Sequence, residues 1–275
     1  MNEAAILLAS LAAGFVGSVL GLGGGVIIVP MLTLLFGIDI RLAIGASVVS
    51  VIATSSGAAV AFLKDGSSNL RLGMFLNLAT TSGALVGALL VGVIPVRWLF
   101  LVFGLLLVYS AFAMLQRRGE ELPQGVVEHP WAAKLRLSGS YYDRRLGHDV
   151  PYVVAGVPAG FGVMCGAGVL SGLLGIGSGV FKVLGMDLVM RLPMKVSTGT
   201  SNFMIGVTAA ASAGVYFSRG IISAQTAAPV ALGVMAGALL GARIVPRLRN
   251  ASLRQLFIPV LVFIGLQMSW KGMHG

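Results

Sequence analysis

The chain has 275 residues, 57% hydrophobic and only 10% charged, with a formal net charge of +10 and a mean hydropathy of +0.95. That balance excludes a water-soluble domain, and the positive charge reads as basic loops at an anionic membrane face, not as a nucleic-acid partner. The single cysteine, Cys165, excludes an intramolecular disulfide and reads as packing.

Met1-Asn2-Glu3 lacks the basic stretch that opens a cleaved signal peptide, so the first apolar segment is expected to stay as structure. That segment, residues 4–38, carries no charge over 35 residues and is broken by Gly21-Leu22-Gly23-Gly24-Gly25. Uncharged windows follow at 42–63, 72–96 and 98–116, and then a polar stretch at 117–149. A second broken window, 150–181, carries Gly175-Ile176-Gly177-Ser178-Gly179 and is followed by uncharged windows at 196–218, 220–242 and 255–270. Roughly 20 helical residues cross a hydrocarbon core. The unbroken windows therefore predict six spanning helices, the last extended by residues such as Ser252 and Lys271, whose lysine can snorkel.

The two glycine clusters stand 154 positions apart, and the offset also pairs Gly14 with Gly168, Val29 with Val183, Gly45 with Gly199, Ser47 with Ser201 and Thr54 with Thr208. It superimposes two Gly-x-Ser triplets and two Gly-x-x-x-Gly motifs, Gly83/Gly87 and Gly237/Gly241, which suit close helix packing. The reading is a duplication: a first membrane repeat at 1–116, a loop at 117–150 and a second repeat at 151–275.

If each broken segment crosses the membrane once, Lys and Arg divide ten to eight between the two sides. If each turns back at its glycines, the division is fourteen to four, with Lys182 left inside the membrane. The second arrangement obeys the positive-inside rule. The expected fold is an all-α polytopic membrane protein of two inverted repeats, each a glycine-broken, re-entrant helical hairpin plus three transmembrane helices. Both termini are then outside and the 117–150 loop is cytoplasmic. Within that loop, the alternation across 135–142 suggests a short β-hairpin. The loop reads either as a solvated linker or as a regulatory, partner-docking element.

Broken membrane helices mark substrate sites, because a short helix that starts within the membrane points bare N–H groups and its positive dipole end inward. The candidate substrate-binding residues are Gly23, Gly24 and Gly25 at one tip and Gly177, Ser178 and Gly179 at the other. Lys182 lies three residues past the second cluster, where the first repeat has Ile28. A charge at that depth is a candidate anion partner unless it snorkels or pairs with Asp187. Thr200, Ser201 and Asn202, with Ser47 as the repeat partner of Ser201, are candidate donors to substrate oxygens or to a neighbouring helix. His129, His148 and His274 have no metal-ligand spacing, no catalytic constellation or cofactor motif emerges, and there is no Walker motif for ATP.

On these residues the chain resembles the sulfite exporter TauE/SafE family of bacterial membrane proteins. The resemblance rests on Gly-Leu-Gly-Gly-Gly-Val-Ile-Ile-Val-Pro at 21–30 with Gly45-Ala46-Ser47. It rests equally on Ser171-Gly172-Leu173-Leu174-Gly175-Ile176-Gly177-Ser178-Gly179, Lys182-Val183, Pro193-Met194-Lys195 and Gly199-Thr200-Ser201. Membership implies export of small sulfur-containing anions, such as sulfite or sulfoacetate, across the inner membrane. Two positions depart from the pattern: Leu184 stands where a proline is expected, leaving the bend of the second hairpin open, and Ser178 stands for a glycine.

The leading expectation is a secondary anion exporter working by alternating access, not an enzyme. A passive channel or a carrier of another solute is the alternative within transport, and a non-transporting membrane scaffold or sensor is the alternative outside it. The expected partners are a small anion and membrane lipid. A proton or sodium coupling ion and a homo-oligomer are left open.

Overall fold

A computed structural model describes residues 3–20, 24–64, 68–116, 125–143, 147–244 and 250–274. The first half comprises α1 (Glu3–Leu20), α2 (Gly25–Pro30) running into a π-helical turn (Met31–Leu35), α3 (Ile40–Lys64), α4 (Leu70–Val91) and α5 (Val96–Gln116). The linker holds α6 (Pro130–Leu135), β1 (Gly139–Asp143) and β2 (His148–Tyr152). The second half repeats the first as α7 (Val157–Leu174), α8 (Gly179–Leu184) with a π turn (Gly185–Val189), α9 (Met194–Ser218), α10 (Ala224–Ile244) and α11 (Asn250–His274).

The six unbroken windows become the helices α3, α4, α5, α9, α10 and α11. Leu78 on α4, Leu105 and Phe112 on α5 and Phe263 on α11 are each more than half exposed. In water such a surface would aggregate, whereas lipid solvates it.

Packing follows the duplication. A Cβ on Gly83 would lie 2.2 Å from Cys165 O and 2.9 Å from Val169 N, so α4 and α7 touch backbone to backbone. Its repeat partner Gly237 meets Leu11 O at 2.0 Å and Phe15 N at 2.7 Å, joining α10 to α1. Gly168 against Thr80 O (2.2 Å) recurs as Gly14 against Val234 O (2.3 Å). Every residue in these pairs is shifted by the same 154 positions. Each half thus lends its fourth element to the other half's first, while α3 packs on α9 and α5 on α11. Missing side chains are what allow helix axes this close, and within lipid that van der Waals contact is a main source of association.

The hairpins share a second device. Pro30 (φ −59°, ψ −41°) and Leu184 (φ −61°, ψ −42°) have the same backbone, and both precede a π turn. Positive φ follows at Gly37 (64°) and Arg191 (55°). Ile38 N–H then donates to Leu32 O and Leu192 N–H to Met186 O, both at 3.0 Å. The bend therefore forms in the second hairpin without a proline: the π turn and the reversal after it set its course.

The described part of the linker is folded. Leu135 ends α6, Arg136 turns the chain with φ 51°, and β1 pairs antiparallel with β2 from Gly139–Tyr152 to Asp143–His148. The hairpin suggested by the alternation at 135–142 is present but begins four residues later, at Gly139, because Leu135 packs as helix and the left-handed Arg136 separates the two.

Candidate functional site

Both glycine clusters separate a long helix from a short one. Gly175 (φ 66°) closes α7, its N–H donating to Ser171 O at 2.9 Å, and Gly177 (φ 71°) and Ser178 (φ 45°) complete the reversal. Left-handed backbone is free for glycine but costs a serine about 1–2 kcal/mol. Ser178 caps the start of α8 with that strained backbone. It is 2% exposed, and its hydroxyl makes no hydrogen bond among the described residues. Downstream, Ala155 N–H donates to Met190 O at 3.1 Å, so the segment after the tip returns to where α7 begins. At the other tip Gly24 and Gly25 open α2, while Gly23 lies outside the described residues.

The two tips meet. A Cβ on Gly25 would lie 3.0 Å from Ile176 Cα and 2.8 Å from both Ser47 Oγ and Val51 Cγ2. Ser47 donates to Gly175 O at 2.7 Å, with Gly25 O at 3.4 Å. Its repeat partner Ser201 donates to Gly179 O at 3.2 Å. These hydroxyl protons hold the hairpin backbone in place. Val51 and Ile205, also repeat partners, close on Gly177 with their methyl groups, which would stand 3.0 and 2.8 Å from a Cβ there.

Lys182 is fully buried on α8. Its ammonium donates to Thr208 Oγ1 at 2.9 Å and to Met204 O at 3.5 Å. Thr208 Oγ1 lies 3.3 Å from Thr80 Oγ1 on α4, which lies 3.2 Å from Asn77 Oδ1. Placing a lysine at mid-membrane costs about 2.5–3.5 kcal/mol, and neutral oxygens restore only part of the lost hydration. Asn77 and Thr80 join this chain unforeseen. The available signal was an Asn and a Thr three apart, one helical face, in the uncharged window 72–96.

The remaining candidates sit apart from the tips. Thr200, fully buried in α9, accepts from Asn69 N–H at 3.0 Å, facing the start of α4. Asn202 donates to Thr198 O at 3.0 Å within its own helix. The structure therefore groups Gly25, Ser47, Gly177, Ser178, Gly179 and Ser201 at the tips and places Lys182 one turn along α8. Gly24 faces Val234 on α10, at 2.9 Å from a Cβ. Among the described residues no group of three or more His, Cys, Asp and Glu side chains could hold a metal ion.

Comparison with known proteins gives concordant matches. The chain is 25% identical over 283 residues to the probable membrane transporter protein YunE of Bacillus subtilis (strain 168), covering 99% of each. It is 27% identical to the probable membrane transporter protein YdhB of the same organism, covering 86% of this chain and 88% of the relative. A probable membrane transporter protein of Xylella fastidiosa (strain 9a5c) is 23% identical over 94% of this chain and 91% of its own. No solved structure matches. The family described as sulfite exporter TauE/SafE matches residues 6–268. With its paired, glycine-broken helices and whole-length relatives among membrane transporters, the chain belongs to the sulfite exporter TauE/SafE family.

Proposed function

We propose that the protein exports small sulfur-containing anions, sulfite or organosulfonates such as sulfoacetate, across the bacterial inner membrane. Transport proceeds by alternating access between two inverted halves, with both termini periplasmic and the linker cytoplasmic. The observation that carries this reading is Lys182: a fully buried ammonium held by neutral oxygens, one turn from the meeting point of two hairpin tips. A cation so placed lowers its own solvation cost when an anion arrives.

The tips supply the rest of the chemistry. Two helical segments, Gly25–Leu35 and 179–189, start there, and the first N–H groups of a helix have no partner within it. A sulfite or sulfonate group offers three acceptor oxygens to such donors, to Lys182 and to the Ser178 hydroxyl. The return of Met190 to Ala155 supports a re-entrant second hairpin, and the fourteen-to-four division of basic residues supports the orientation. Rocking one half against the other would open the tips to either side in turn.

The test is binding of sulfite to purified wild type and Lys182→Met, followed by flux in proteoliposomes. A charge-assisted hydrogen bond is worth about 1.5–3 kcal/mol, so the variant should bind about tenfold to hundredfold more weakly. Unchanged affinity in a folded variant overturns the site, and flux that never runs against a sulfite gradient under any imposed ion gradient identifies a channel.

A further inference from the structure

Thr200 is separated from the linker by one residue. Asn69, at the start of α4, uses all its polar groups at this junction. Its backbone N–H donates to Thr200 Oγ1 at 3.0 Å, and its side-chain oxygen accepts from Leu72 N–H at 2.9 Å, capping α4. Its side-chain amide donates to Leu137 O at 2.6 Å and to the Tyr152 hydroxyl at 2.9 Å, both in the linker. One residue thus links the second turn of α9, the first turn of α4 and both ends of the linker hairpin.

The linker is built to hold that position. His129 N–H donates to Val154 O at 3.0 Å, tying the start of α6 to the segment after β2, and Leu137 N–H donates to Ala132 O at 2.9 Å, closing the end of α6. Tyr141 and Val150 bury against Val196 in the first turn of α9, with Tyr152 packed beside them. Ala132, Leu137 and Val154 join Leu72, Leu76 and Leu192 in one apolar cluster. Arg71 adds a bond from α4 to Arg136 O at 3.3 Å. Burial pushes the Tyr152 phenol above its ordinary value, with the Asn69 bond opposing, so the hydroxyl stays protonated at neutral pH.

Behind this junction lies Ser197, fully buried, its hydroxyl without a hydrogen-bond partner among the described residues. It stands one turn before Ser201, which holds Gly179 O. A buried hydroxyl without a partner is costly in a fixed core but suits a wall that is wetted in another conformation.

We propose that Asn69 is a positioning residue that latches the folded linker over the start of α9, so that the linker is the gate between its own side of the membrane and the hairpin tips. The inference rests on the anion-exporter reading for what passes the gate. When the linker lifts, Asn69 releases Leu137 and Tyr152, Thr200 loses its donor, and the Ser197–Ser201 face opens to water. When it closes, the same bonds re-form and seal the path.

The experiment measures access, in inside-out membrane vesicles, of a membrane-impermeant thiol reagent to Ser197→Cys with Cys165 replaced by Ala. Asn69→Ser keeps a capping oxygen and the backbone donor but removes both side-chain donations. It should raise the reaction rate about tenfold or more, the population shift expected from losing two hydrogen bonds. Tyr152→Phe and Arg71→Met, which leave α4 capped, should raise it less. In flux assays Asn69→Ser should change maximal sulfite export per folded, incorporated protein while leaving the half-saturating concentration within about twofold; expressing flux per folded protein separates this from loss of protein by destabilisation. Equal thiol reactivity with and without the three substitutions overturns the gate. So does equally fast labelling of Ser197→Cys in the protein that retains Asn69. Thiol access needs no substrate, so sulfite binding that ignores Lys182→Met would reject the anion site while leaving the gate to be judged by its own result.

Discussion

Ser47, on α3 of the first half, donates its hydroxyl to the carbonyl of Gly175 at the tip of the second hairpin, at 2.7 Å. Ser47 also faces Gly25 O at 3.4 Å, and its repeat partner Ser201 makes the bond corresponding to that contact, to Gly179 O at 3.2 Å. Ser47 is therefore a tie between halves. Ser47→Ala leaves a buried carbonyl without that donor, at a cost of about 1–3 kcal/mol. It should reduce sulfite flux, measured beside wild type in proteoliposomes at equal protein incorporation.

Ser178→Gly should separate stability from binding. Glycine relieves the strain of φ 45°, so thermal stability in detergent should rise by about 1 kcal/mol. The same change deletes a buried hydroxyl at the tip, and sulfite affinity should fall. A variant that gains stability and binds sulfite as before would remove Ser178 from the site.

Gly177→Leu should abolish transport while the protein remains in the membrane. The residue has φ 71°, and a Cβ there would press on Ile205 and Val51 at 2.8 and 3.0 Å. Gly162 and Gly166, on the same α7 hairpin arm, have nothing within 4 Å of a Cβ, so Gly162→Ala and Gly166→Ala should transport normally. Gly83→Ala and Gly237→Ala should instead lose folded protein, since each would drive a methyl group into backbone at 2.2 and 2.0 Å. Membrane-fraction immunoblots with flux assays sort the three outcomes.

Thr208→Val keeps the shape of the side chain and deletes the oxygen that accepts from Lys182 at 2.9 Å. The ammonium then keeps Met204 O as its neutral partner. Stability should drop by about 1–3 kcal/mol, while sulfite binding should fall less than in Lys182→Met, because the charge remains. Isothermal titration of both variants checks the order.

Ser140→Cys in β1 and Met273→Cys near the end of α11, in a Cys165→Ala background, should label from opposite sides of the membrane. Labelling of both from one side would rule out the inverted arrangement with a cytoplasmic linker.

Much of the architecture was legible in the chain because lipid imposes a local rule. A spanning segment must be long, apolar and uncharged, so the windows at 42–63 and 196–218 announced α3 and α9 without any knowledge of their neighbours. The duplication was legible because it repeats residues at one offset, and glycine clusters are conspicuous breaks. What those glycines touch was not. Gly83 and Gly237 have the same local sequence character, yet each packs on the opposite half, and only the assembled bundle decides that exchange. Lys182 could be singled out as a buried charge, but its partner Thr208, and Thr80 which meets Thr208 in turn, come from two other helices, 26 and 102 positions away. Asn69 gave no sign at all: it is one polar residue between the windows 42–63 and 72–96. Its role arises because the linker folds back over α4 and α9, and hydrogen bonds between residues this distant in sequence exist only once helix packing has fixed where the ends of the helices meet.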